Sequence, residues 1–333
     1  MRILLTGAGG PAAVGVSRSL SLAGHFLVGV DCDQYTIQFA ETHKRYQVPR
    51  ASDPGYLSAI NNIAVLERID LIHAQPDPEV AALSEAREML AARTHLPSKQ
   101  AVRVCQDKMA CYGVLRDAAV PVPYSVQLDS ANDLDQFFGQ AQDGWVRFRT
   151  GAAGRGALRV RSFGEALLWI ESHDGWGEFM ASEYLPGRCV TWQSVWNRGE
   201  LVCSQSRERI EWALANRSPS GVTGITGVAK TITRADVGTV GRAAVLAVDA
   251  VPNGIYGVDM KENASGVPCV TEINIGRFFT TIEFFTQMGL NMPDLYVRSA
   301  FGQKTEHEMI DDDWYWIRSM DSLPRLVMGS EFA

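Results

Sequence analysis

Along the first third of the chain, short runs of β-branched and aliphatic residues alternate with stretches of helical periodicity. Residues 3–6, 26–30 and 69–73 are strand-like, whereas the segment after Arg18, residues 60–67 and residues 79–92 are helical. This alternation predicts βαβ units, and therefore a parallel sheet covered by helices.

Gly7-Ala8-Gly9-Gly10-Pro11 follows the first strand and opens a helix, with Asp31 near the end of the second strand. The arrangement has the outline of a dinucleotide fingerprint. Its third glycine, however, falls at Ala12, and Pro11 crowds the turn that a pyrophosphate would approach. Two further readings stay open. One is a tight strand-to-helix turn; the other is a loop whose exposed amides hold a substrate anion at a helix N-terminus.

From Leu96 the texture changes, and a new unit is expected to begin. Pro97, Pro121 and Pro123 interrupt the pattern, and Asp107-Lys108 opens a helical stretch over residues 109–119. A strand over 145–149 then meets the glycine-rich Gly151-Ala152-Ala153-Gly154-Arg155-Gly156 and a second strand over 157–160. Glu183-Tyr184-Leu185-Pro186-Gly187 precedes a strand pair, 191–196 and 201–205, joined at Asn197-Arg198-Gly199. A helix over 237–248 and a final hairpin, 256–261 with 268–274, complete the outline. Trp314-Tyr315-Trp316 reads as a packing strand.

The hairpin carries the clearest chemistry. Glu262-Asn263-Ala264-Ser265-Gly266 is turn-rich and its flanks are strand-like. Glu272 and Asn274 are two apart and share a face; an ordinary register across the turn brings Asp259 to the same face. Two carboxylates and an amide oxygen then offer hard ligands of the kind Mg²⁺ takes. Taken alone, the same pattern also describes a solvated acidic hairpin face.

Composition narrows the field. A chain of 333 residues with 46% hydrophobic and 21% charged residues suits a soluble protein of two or three folding units. A net charge of −7 argues against a nucleic-acid partner, which draws excess Lys and Arg to one face. Six cysteines without a Cys-x-x-Cys pair signal neither zinc nor a disulfide framework, and six histidines show no metal-ligand spacing. The first residues lack the features of a signal peptide, and no apolar run is long enough to span a bilayer, so a cytoplasmic setting without membrane contact is expected. Gly329-Ser330-Glu331-Phe332-Ala333 looks like a cloning-linker scar.

In order and spacing, these segments resemble the ATP-grasp family over nearly the whole chain. Asp107-Lys108 is similar to the Asp-Lys at the head of the family's middle unit, whose basic residue helps hold phosphate. Trp145-Val146-Arg147-Phe148-Arg149 resembles the strand that usually reads Val-Val-Lys-Pro, with Arg147 at the lysine position, as in relatives of carbamoyl-phosphate synthetase. The glycine-rich segment, with Gly151, Gly154, Arg155 and Gly156, resembles the loop that closes over ATP phosphates. Glu183, Tyr184 and Leu185 resemble the linker whose backbone hydrogen-bonds adenine, and Asp259, Glu272 and Asn274 match the metal ligands. Two departures stand out. Arg188 and Cys189 occupy the place where relatives carry an acidic ribose-binding residue. Arg277 lies three residues beyond Asn274 rather than two.

The resemblance implies a mixed α/β and α+β architecture. An N-terminal Rossmann-like, parallel-sheet pre-ATP-grasp domain would cover residues 1–95, a middle ATP-grasp subdomain 96–182, and a C-terminal subdomain with the metal site 183–328. It implies ATP and Mg²⁺ as cofactors, with two ions and Mn²⁺ as the substitute. Arg147, Arg209 and Arg277 are the implied catalytic arginines, with Arg207 the alternative to Arg209 near an acyl phosphate. The implied activity is that of a carboxylate–amine ligase working through an acyl phosphate on small-molecule carboxylate and amine substrates, with room for a homodimer. A carbamoyl-phosphate-synthetase-like kinase of a small carboxylate or carbamate, and a nucleotide-binding relative without turnover, are the alternatives. Independently of the resemblance, Asp77 and Glu79 at the end of an N-terminal strand and the Gly/Ser/Thr-rich residues 218–224 are candidates for the substrate side, with ordinary loop composition as the alternative.

Overall fold

The opening apolar run becomes strand β1 (Arg2–Thr6), which is buried almost throughout. A strand without polar alternation belongs inside a sheet covered on both faces. The computed structural model, which describes residues 1–151, 154–303, 310–319 and 325–332, puts it there. After β1 come α1 (Pro11–Leu22), β2 (Phe26–Asp31), β3 (Lys44–Gln47), α2 (Tyr56–Leu66), β4 (Leu71–His73), α3 (Asp77–Glu85) and β5 (Arg93–Thr94). The strands form a parallel sheet in the order β3-β2-β1-β4-β5.

Helix α3 is shorter than the expected span of 79–92. It ends at Glu85, and a 3-10 turn, Arg87–Met89, follows. Arg87 folds back to donate to Ser84 O at 3.0 Å and reaches Pro97 O at 2.7 Å, which ties the chain to the start of the next unit.

Ser98 and Asp107 accept backbone N–H groups at the starts of α4 (Lys99–Gln106) and α5 (Lys108–Asp117). These two helices pack mainly on the C-terminal sheet, with α5 also touching the middle one. The middle sheet is built from β6 (Ser125–Leu128), α6 (Ala131–Phe138), β7 (Gly144–Phe148), β8 (Leu158–Val160), α7 (Phe163–Glu171) and β9 (Phe179–Glu183). Its strands run antiparallel in the order β6-β9-β7-β8 over a core of its own that includes Phe137, Val146, Ile170 and Phe179.

The last part contains β10 (Cys189–Asn197), β11 (Glu200–Trp212), β12 (Thr226–Ile232), α8 (Ala235–Val248), β13 (Gly254–Glu262), β14 (Pro268–Ile275), α9 (Ile282–Gln287), α10 (Met292–Ala300), β15 (Trp314–Ile317) and β16 (Arg325–Met328). Among the described residues its strands form one sheet in the order β14-β13-β10-β11-β12-β15-β16. Strand β11 runs well past the expected 201–205. It is paired on both sides, by β10 and β12, and carries Arg207 and Arg209 beyond the reach of the sequence pattern. No helix among the described residues is long and apolar enough to cross a membrane.

Glu79 lies under the loop that follows β1. It is 5% exposed, and one carboxylate oxygen has no hydrogen-bond partner. Burial pushes its pKa from 4.5 to about 7; the Thr6 hydroxyl opposes the shift and Asp31 adds to it. A carboxyl raised in the folded state holds more protons there than in the unfolded chain. Its contribution to stability therefore falls as pH rises from about 4.5 to about 7 and is level above. Glu79→Gln should remove that slope, making the variant more stable than the parent by ~3 kcal/mol at pH 8 and by almost nothing at pH 4.5. Urea unfolding across that range checks it, and parallel profiles would refute it.

Candidate active site

The β13–β14 hairpin sets Asp259 directly opposite Glu272, and Gly257 opposite Asn274. Between Asp259 and Met260 the register slips by one residue, leaving Thr271 as a bulge on β14. The Thr271 carbonyl accepts from the Tyr112 hydroxyl at 2.9 Å and from Arg147 Nη2 at 2.7 Å, while its hydroxyl donates to Asp259 O at 3.1 Å. The bulge is thus pinned from both sides, which fixes where Glu272 points.

Pairing continues outward in the same row. Asp259 lies opposite Thr191 on β10, and Thr191 opposite Arg207 on β11. Glu272, Asp259, Thr191 and Arg207 therefore stand side by side across four strands on one face. Asp259 accepts from the Thr191 hydroxyl at 2.5 Å, from Asn274 Nδ2 at 3.0 Å and from Arg209 Nη2 at 3.4 Å. Burial alone would raise its carboxyl, but Arg209, Thr191, Arg207 and Arg277 together outweigh it and hold it below the usual carboxylate range. Asp259 stays ionised. Asp259 and Glu272 are the hard carboxylate donors open to a Mg²⁺ ion, whereas the Asn274 amide turns its nitrogen to Asp259 and its oxygen to Arg277.

The cations are placed by neighbouring elements. Lys108, near the start of α5, donates from Nζ to Gly151 O at 2.7 Å and lies 3.6 Å from Glu272 Oε1. Burial lowers its pKa, with Glu272 working against the shift. Arg147, on β7, is fixed by Thr271 O and by the Tyr112 hydroxyl at 2.9 Å. Tyr112 is one helical turn from Lys108, so the two share a face of α5. Gly276 takes a positive φ of 74° and turns Arg277 towards the N-terminal unit. There Arg277 grips both oxygens of Asp77 and donates to Asn274 Oδ1. The arginine displaced by one position is brought back beside Asn274 by this turn.

A cavity of about 820 Å³ opens in front of these groups. Arg147, Gly154, Glu183, Tyr184, Leu185, Arg209, Asp259, Glu272, Asn274 and Arg277 all line it, as do Gly7, Gly10 and Asp77 from the N-terminal unit. The cavity lining does not include Lys108, Gly151, Arg155 or Gly156. Lys108 stands behind Glu272, Arg155 is exposed, and Gly156 packs against Phe148 while its carbonyl accepts from Trp169. Ala152 and Ala153 lie outside the described residues. Of the groups expected on the substrate side, Asp77 and the loop residues Ser220, Gly221, Val222, Thr223 and Gly224 line the cavity, whereas Glu79 does not.

At the opposite wall, Tyr184 N–H is engaged by Asp143 O at 3.0 Å. This leaves Leu185 N–H as the free donor of that segment among the described residues. The Tyr184 ring lies under Arg159 at 3.7 Å and Lys261 at 4.7 Å. Arg188 pairs with Glu262 of β13 at 3.0 Å, and of Arg188 and Cys189 it is Cys189 that lines the cavity. Sequence reasoning missed Thr191 and the fixing role of Tyr112. The spacing of Tyr112 from Lys108 could have signalled the latter; Thr191 emerges only once β10 is paired with β13.

A family model for an ATP-grasp domain matches residues 105–281, and one for a PylC-like N-terminal domain matches residues 3–95. The fold is similar to that of a carboxyaminoimidazole ribonucleotide synthase from Aspergillus clavatus complexed with ATP, with a TM-score of 0.73, 18% identity and coverage of 95% of this chain and 81% of that one. It is similar to an L-amino acid ligase from Bacillus licheniformis, with a TM-score of 0.73, 12% identity and coverage of 95% and 78%. It is also similar to the biotin carboxylase domain of a Hydrogenobacter thermophilus 2-oxoglutarate carboxylase in complex with MgADP, ADP and bicarbonate, with a TM-score of 0.70, 15% identity and coverage of 94% and 73%. No curated protein sequence matches the chain.

Gly276 sets the direction of Arg277 and leaves no room for a side chain: a Cβ there would stand 2.7 Å from Val80 Cγ1, in a backbone conformation that L-residues rarely adopt. Gly276→Ala should destabilise the protein by about 1–3 kcal/mol, read as a lower midpoint in chemical denaturation. An unchanged midpoint would show that the turn is not constrained.

Proposed function

The chain belongs to the ATP-grasp family, and from that membership we propose that it is an ATP-dependent carboxylate–amine ligase that forms an amide or peptide bond and releases ADP and phosphate. The observation that carries the reading is the convergence of Asp259, Glu272 and Asn274 on one cavity wall with Arg147, Arg209 and Arg277 around them.

A carboxylate is a poor electrophile, because its leaving group would be an oxide. Attack of a carboxylate oxygen on the γ-phosphorus of ATP gives an acyl phosphate and ADP; attack of an amine on the acyl carbon then expels phosphate, and the amine loses a proton. Alignment and charge neutralisation matter more than covalent help in such a transfer. Mg²⁺ would be held by Asp259 and Glu272, with Asn274 joining when its amide oxygen leaves Arg277, and would supply part of that neutralisation; two ions are expected, with Mn²⁺ as a substitute. The MgADP bound in the biotin carboxylase domain supports this choice of ligand.

Arg147, with one nitrogen fixed by Thr271 O and Tyr112, presents the rest of its fork to the phosphates. Lys108 ties the glycine loop, through Gly151 O, to the acidic hairpin, and Gly154, Arg155 and Gly156 carry that loop over the nucleotide. Arg209 and Arg277 face the acyl group. Glu183, Tyr184 and Leu185 form the adenine edge, with Leu185 N–H as donor. Six free cysteines support a cytoplasmic setting, and the substrates are a small carboxylate and a small amine.

Glu272→Ala should keep its unfolding midpoint but lose substrate-dependent ADP release by a factor on the order of 10²–10³ or more. Phosphate release over a panel of amino-acid pairs finds the substrates, and full turnover in the variant would sink the metal assignment. Release of a phosphorylated product without any amine would instead make the chain a kinase.

A further inference from the structure

Arg207 is 1% exposed and sits in the same strand row as Thr191, Asp259 and Glu272. Arg209 and Arg277 each have a carboxylate partner; Arg207 has none within ion-pairing distance among the described residues. Its Nη1 donates to the hydroxyls of Thr226 and Thr281, its guanidinium lies 4.0 Å over the Phe279 ring, and its Nε has no partner. Burial, and secondarily the nearby Arg209, push its pKa well below the ordinary arginine range, with Asp259 opposing from beyond ion-pairing distance. A guanidinium removed from water with no anion in direct contact is unfavourable, and a ligand anion reduces the penalty.

A second source of positive potential lines the same cavity. Helix α1 is twelve residues long, has no side-chain cap at Gly10 and carries no acid in its first turn. The amides of Ala12 and Ala13 have no partner among the described residues, and Gly10, Ala12, Ala13, Phe279 and Arg207 all line the cavity. The two features are joined through α9. Thr281, which holds Arg207, directly precedes that helix, whose Ile282 and Glu283 lie against Gly15 of α1. A helix N-terminus and a buried guanidinium thus face one space.

We propose that this end of the cavity is a second anion subsite, where a substrate docks a carboxylate or phosphate group other than the one that is activated. Its assignment to a substrate rests on the ligase reading; the subsite itself does not. Arg207 and Asp259 are two strands apart, roughly 10 Å at ordinary strand spacing. One small molecule can therefore hold its reacting carboxylate near Asp259 and its second anion at Arg207.

The test is isothermal titration of the full chain with inorganic phosphate and with glutarate, with and without Mg·AMPPNP in the nucleotide site. The parent should bind at least one of the two. Arg207→Met and Ala12→Asp should each weaken that binding roughly tenfold or more, while Ala12→Asp leaves the affinity for Mg·AMPPNP unchanged. Tighter binding of phosphate identifies a phosphorylated substrate, and tighter binding of glutarate a dicarboxylate. If Arg207→Met fails to fold, Ala12→Asp decides alone, because an acid in the first turn of a helix favours the helix while repelling the anion. Parental affinity in a folded variant, or no anion binding by the parent, overturns the subsite. No turnover is required, so a chain that binds the anion but makes no amide counts only against the ligase reading.

Discussion

An ionised carboxylate at Asp259 is the constraint around which the rest of the site is arranged. Its charge is sheltered in the cavity wall, where solvent cannot stabilise it fully, and the protein answers with a hydroxyl, an amide and an arginine in direct contact. Each of those partners comes from a different strand or strand position. Thr191 requires β10 to lie beside β13, Arg209 requires β11 to extend far beyond its hairpin turn, and Asn274 requires the register across the β13–β14 turn. Sheet order and the ionisation state of one side chain are therefore linked.

The bulge at Thr271 shows how a small irregularity is used. A regular ladder would have spent the Thr271 carbonyl on its partner strand; the bulge frees it to receive Tyr112 and Arg147. One oxygen then connects α5, β7 and β14, drawn from the middle and C-terminal parts of the chain. The arginine that meets the cavity from the middle sheet is positioned by the same hairpin that carries the acidic groups. Distances between the two walls are consequently set by hydrogen bonds rather than by loop length.

Much of this was legible in the sequence where the signal was local. The period-2 relation of Glu272 and Asn274, the turn between the hairpin strands and the Asp107 cap at the head of α5 all depend on neighbours within a few residues. The register set at the turn, with Glu262 opposite Pro268, would by itself place Asp259 opposite Thr271; the one-residue bulge at Thr271 brings it opposite Glu272, and no local signal in the sequence marks that bulge. The Thr191 partnership and the binding of Arg277 to Asp77 join residues 68 and 200 positions apart, and the full length of β11 depends on its pairing with β12 as well as β10; periodicity encodes none of these. The shift of Arg277 by one position looked like a departure in one dimension. In three dimensions the left-handed turn at Gly276 absorbs it.

The Asp77–Arg277 pair also bears on how such a chain can change over generations. Gln75 donates to Phe278 O at 2.6 Å, one residue beyond the arginine, so residues 75–77 and 274–278 form a single seam. The parallel-sheet unit is therefore not a freely exchangeable module. A unit grafted from a relative without a carboxylate at the start of this helix would leave Arg277 with Asn274 as its remaining partner, pulling on the amide that orients Asp259. Recombination would be tolerated only when both sides of the seam travel together, and diversification of one half is tied to the history of the other.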